Sequence, residues 1–132
     1  MDRMVPVKIG GQDYFFNFSI EVMFEMTERW GGVQAALDAL GEESVSGFEA
    51  VKWWSVRLAR DGELCRRDAG YDHGRMISEN DISMRMSPLD FAELKNAVVT
   101  AITRGYQRET ESAEEVDLGL EELRQKKDLA GG

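Results

Sequence analysis

The chain has 132 residues, 42% of them hydrophobic and 31% charged, which fits one domain with a core that forms without disulfides or metal. With 16 Lys and Arg against 25 Asp and Glu the net charge is −9, a balance that repels phosphate backbones and argues against nucleic acid as a partner. The single cysteine, Cys65, has no intramolecular partner, no basic-then-apolar leader opens the chain, and no run of about 18 apolar residues occurs, so the expectation is a cytoplasmic protein with no membrane segment.

The first element in chain order is a hairpin. Val5-Pro6-Val7-Lys8-Ile9 and Gln12-Asp13-Tyr14-Phe15-Phe16-Asn17-Phe18 flank Gly10-Gly11, and two glycines supply the positive φ angles of a two-residue turn. With Ile9 opposite Gln12, the side chains of Val5, Val7, Ile9, Tyr14, Phe16 and Phe18 share one face, and Lys8 meets Asp13 on the other. Pro6 then falls at a non-hydrogen-bonded position, which makes the first strand an edge open to self-association by β-pairing.

Ser19 is a fitting N-cap for a helix from Ile20 to about Trp30, with Ile20, Met23, Phe24, Thr27 and Trp30 at helical spacing and Gly31-Gly32 as the stop. Glu25 and Arg29 are spaced as an i,i+4 pair on its outer side. A short second helix covers Val33 to Leu40 and stops at Gly41. Ser46-Gly47-Phe48-Glu49 has the pattern of a capping box, which predicts a third helix to about Arg60 with Phe48, Val51, Trp54 and Leu58 buried and Asp61-Gly62 as its end. Residues 63–86 are polar and mostly irregular, save one turn capped by Ser78 to Asp81 that bears Ile82 and Met86. Ser87 and Pro88 then open a last helix with Phe91, Leu94, Val98, Ala101, Ile102 and Gly105 on one side, ending near Tyr106. Beyond it, residues 109–132 carry eight acids against three bases, and Val116, Leu120 and Leu123 are too few anchors to order the segment without a partner. The fold class expected is α+β, mainly α: an N-terminal β-hairpin followed by about four to five helices over residues 1–108, with an acidic C-terminal tail over 109–132.

The residues offer little for chemistry. His73, the sole histidine, lies in a polar stretch, and Cys65 with His73 falls short of the three or four ligands that zinc needs. Asp68, Asp72, Glu79 and Asp81 lack the spacing of a calcium loop, and Gly10-Gly11 is followed by no phosphate-binding motif. No catalytic, cofactor-binding or metal-binding residue is therefore expected. Four positions are candidates for meeting a partner. Trp53 points about 100° away from Trp54 and is either a core-edge residue or a binding anchor. Phe15 lies on the outer hairpin face opposite Pro6. Arg57 and Arg60 belong, with Arg66 and Arg67, to a basic patch suited to an acidic partner or to the chain's own tail.

The succession of Tyr14-Phe15-Phe16-Asn17-Phe18-Ser19, Glu28-Arg29-Trp30-Gly31-Gly32-Val33, Ala35-Ala36-Leu37, Leu58-Ala59-Arg60-Asp61-Gly62 and Ile77-Ser78-Glu79-Asn80-Asp81-Ile82 resembles the tail assembly chaperones of long-tailed bacteriophages and gene-transfer particles. The resemblance spans residues 5–106 and contains no invariant chemical motif. It implies a mostly helical, non-enzymatic protein of the bacterial host cytoplasm that coats the tape-measure protein and recruits tail-tube subunits. It also implies a longer version made by ribosomal frameshifting, with Gln125-Lys126-Lys127 a place for the slippery codons. The alternative is a structural tail-completion or connector component of the particle.

Overall fold

In the computed structural model, which describes residues 4–107, the chain reverses at Gly10 and Gly11, whose φ angles of 58° and 81° are those of a twist-matched hairpin turn. Strands β1 (Val5–Ile9) and β2 (Gln12–Phe16) pair antiparallel, Val5 with Phe16, Val7 with Tyr14 and Ile9 with Gln12. That is the register expected from the apolar alternation. Val5, Ile9, Tyr14 and Phe16 are buried, whereas Lys8 and Asp13 stand opposite each other in solvent.

Helix α1 (Ile20–Trp30) is capped by Ser19, whose Oγ accepts from the Val22 N–H at 3.3 Å, and it ends on Gly31 at φ 87°. Its buried face is shifted from the one expected, although Met23 and Trp30 of that row do pack against the core. Val22 and Met26 face the core, while Ile20 and Phe24 are 62% and 60% exposed. Two apolar rows fit the helical period here, and contacts of Ser19 and Glu25 with a later helix select the Val22 row, as described below. Helix α2 (Val33–Gly41) buries Ala36 and Leu40.

Helix α3 (Val45–Asp68) begins earlier and ends later than the sequence pattern predicts. Its N-cap is Ser44 rather than Ser46, because the Ser44 hydroxyl receives the Gly47 N–H at 3.2 Å. Asp61-Gly62 does not end it. A Cβ on Gly62 would lie 1.7 Å from the Phe15 carbonyl oxygen, so this glycine lets β2 lie directly on the helix backbone. The Asn17 N–H donates to the Leu58 carbonyl at 3.0 Å beside it. Within the expected stripe Val51, Trp54 and Leu58 are buried, but Phe48 is 53% exposed.

Residues 71–78 are irregular and lead to α4 (Glu79–Arg85), where Ser78 and Asp81 form a reciprocal capping box. A fifth helix, α5, covers residues 88–107, with Ser87 and Asp90 exchanging the same pair of bonds at 3.2 Å each. It buries Leu94, Val98, Ala101 and Ile102, and a Cβ on Gly105 would collide with the Phe18 ring. The class is thus mainly α with an N-terminal β-hairpin, as expected. No helix among the described residues is long and apolar enough to cross a membrane. The acidic segment 109–132 lies outside the described residues.

Candidate binding surface

The basic candidates are tied into the fold. Glu25 on α1 reaches across to α3, accepting from Arg60 at 2.6 Å and from Arg57 at 2.9 Å, and not from Arg29 four residues on. Hydrogen bonds from Arg60, with Arg57 adding its own, hold the Glu25 carboxyl below its usual value against the opposing effect of partial burial. Arg60 also binds the buried Asp61 at 3.0 Å, and Asp61 accepts the hydroxyl of Ser19. The N-cap and the second turn of α1 are therefore both fastened to residues 57–61. Arg57 and Arg60 serve this internal junction, so the expected site for an acidic partner is already neutralised by the chain itself.

Trp53 falls on the core side of its two readings, at 5% exposure. Its ring meets Trp30 edge-on at 4.8 Å and Trp54 at 5.4 Å, and the Arg57 guanidinium lies 4.0 Å above it. It offers no surface for a partner. Adjacent helical residues both become buried because α3 is enclosed on more than one side, by β2, α2 and α4 and by the ion pairs to α1. Phe15 is half-buried, with Arg66 5.4 Å from its ring centre and its carbonyl pressed on Gly62.

At the C-terminal end of α3 the buried Glu63 holds Arg66 at 2.8 Å, Arg67 at 2.9 Å and the Gly74 N–H at 2.6 Å. Burial alone would raise its pKa; the Gly74 N–H and the two guanidiniums outweigh that and lower it. This clamp fixes the 71–78 segment, in which His73 is exposed. Cys65 is exposed too, 3.5 Å from the Asn17 amide nitrogen. Among the described residues no group of three or more His, Cys, Asp and Glu is placed to hold a metal ion.

Leu64, Tyr71 and Met76 are exposed around this clamp, and a second set of exposed apolar residues lies at the other end of α3. Val45, at 74% exposure, and Phe48 project from the first turns of α3, where an open groove of about 680 Å³ runs toward the α4–α5 junction. Phe48 meets Phe91 of α5 edge-to-face at 5.2 Å, Met86 and Pro88 line the same groove, and the buried Val51 and Ile82 lie at its base. A second hollow of about 610 Å³, lined by Trp30, Ala35 and Ala39, shares Val45, Glu42 and Glu49 with the first. Sequence reading missed this surface because Phe48 has the spacing of a core residue. The one signal available was Val45, an apolar residue at the end of an acidic loop with no place in any stripe. Comparison of the chain with protein-family models, curated proteins and solved structures finds no match in any of the three.

Proposed function

We propose that this protein is a tail assembly chaperone of a long-tailed phage or gene-transfer particle, acting in the host cytoplasm by stoichiometric binding and without catalysis. It would keep the tape-measure protein soluble and recruit tail-tube subunits. The observation that supports this reading is the exposure of Ile20, Phe24, Val45, Phe48, Met84 and Leu89, large apolar side chains held outward on a chain of net charge −9. The parts of these side chains left in solvent add nothing to the protein's own core and become useful when a partner covers them. The strong net charge keeps a body with such a surface dispersed. The order of hairpin and helices, which resembles that family, points the same way.

Co-expression with the long helical protein encoded next to it provides the test. The expected result is a soluble complex and a client that precipitates when expressed alone; an equally insoluble client and no complex would reject the reading. Mass spectrometry of purified particles separates the alternative, since an assembly chaperone is missing from finished particles and a tail-completion or connector component is retained.

A further inference from the structure

We infer that the groove between the first turns of α3 and the α4–α5 junction receives an amphipathic helix of another protein, docked by apolar side chains and by a Lys or Arg beside Glu42 and Glu43. This names the partner class for the binding reading above and rests on it. The apolar half of the match is Val45, Phe48 and Phe91, an exposed ridge and an edge-to-face ring pair over the buried Val51 and Ile82. On α3 the lining residues run from Val45 to Lys52, about 10 Å or two turns at 1.5 Å per residue, which is room for two or three anchors spaced i, i+3/i+4 and i+7.

Charge decides which occupant fits. Among the described residues the ion pairs engage Lys52, Arg57, Arg60, Arg66, Arg67, Arg75 and Arg85, so most of the basic side chains described already have an acidic partner in the chain. Of the two lysines lining the groove, Lys52 is held by Glu49 at 2.9 Å and by Ser83 at 3.1 Å and Lys95 stands on α5 with no ion pair among the described residues; Glu42 and Glu43 form none either, and with Glu49 they leave the lining net negative, the acids at its α2–α3 end. The chain's own segment 109–132 has eight acids against three bases, and a second copy carries −9. Each is net negative, as is this rim. A helix with basic residues at one end of its apolar stripe brings the opposite charge, which speeds encounter and fixes direction.

The experiment titrates two synthetic peptides into the isotope-labelled full chain and follows its amide NMR spectrum. One is an amphipathic helix of about 16 residues with a leucine stripe and flanking lysines; the other replaces every lysine by glutamate. The expected result is that amides of residues 45–52 and 86–95 shift, with the lysine peptide bound at least about ten-fold tighter, a difference of about 1.4 kcal/mol. Phe48→Glu and Val45→Glu, both at exposed positions, should each abolish the shifts with the rest of the spectrum unchanged, and Glu42→Lys with Glu43→Lys should reverse the preference. Shifts centred elsewhere, equal affinity for both peptides, no binding of either, or binding that survives both glutamate variants would overturn the inference. A client complex that forms equally well with Phe48→Glu and Val45→Glu retires the groove and keeps the chaperone. Peptide binding in the groove without any client complex does the reverse.

Discussion

Gly62 shows how a residue's meaning depends on what lies across from it. Asp-Gly after a helical stretch reads locally as a stop, yet here the glycine is interior to α3 and stands where a Cβ would meet the Phe15 oxygen at 1.7 Å. Nothing in the local sequence reveals a strand crossing at that point, so the true length of α3 was not legible. Gly62→Ala is expected to lower stability by about 2–4 kcal/mol in chemical denaturation, because neither backbone can yield without losing the Asn17 to Leu58 bond. Gly41→Ala is the matched control, since nothing lies within 4 Å of its Cβ position at the exposed end of α2. It should be neutral or gain up to about 1 kcal/mol. Trp53 teaches the same lesson: its spacing leaves core and surface equally open, and only the enclosure of α3 decides between them.

At the scale of elements, the hairpin register and the caps Ser19, Ser78 and Ser87 were legible because turn glycines, alternation and capping bonds are short-range. The rotation of α1 was not. Its two apolar rows are equivalent until Ser19 and Glu25 find Asp61, Arg57 and Arg60, partners 32 to 42 residues away. Ser19→Ala removes the cap and the link to Asp61 together, and should cost about 1–2 kcal/mol, read as a shift in denaturation midpoint. Acid should loosen the same junctions. Glu25 and Glu63 have folded pKa values below the ordinary 4.5, so on lowering the pH the unfolded chain takes up these protons first. Their contribution is present above that ordinary value and is lost as the pH falls through the lowered folded values. Denaturation series from about pH 7 down to about pH 3 should show flat stability followed by a fall. Glu63→Gln should begin about 2 kcal/mol lower at neutral pH, with Arg66 and Arg67 deprived of their carboxylate, and decline less steeply in acid.

For the molecule as a whole, β2 is covered along its outer edge by α3, which leaves the outer edge of β1 without a paired strand among the described residues. Pairs alternate outward from Ile9–Gln12 at the turn, so Pro6 and Lys8 are the β1 residues whose backbone faces outward. Pro6 has no N–H and Lys8 brings a charge, two devices that discourage a further strand. The edge that permits self-association by connectivity is thus poorly equipped for it. Pro6→Thr combined with Lys8→Thr should restore a donor, remove the charge and raise the apparent mass in sedimentation as concentration increases, whereas the unaltered chain should show less dependence.

The indoles of Trp30, Trp53 and Trp54 are all the tryptophan the protein has, and they form one cluster with centroid separations from 4.8 to 6.1 Å. Light absorbed by any of them is shared within a single patch at the α1–α3 junction. Tryptophan emission from this protein is therefore a one-point gauge: it follows the seating of α1 against α3 and is blind to events at the hairpin turn.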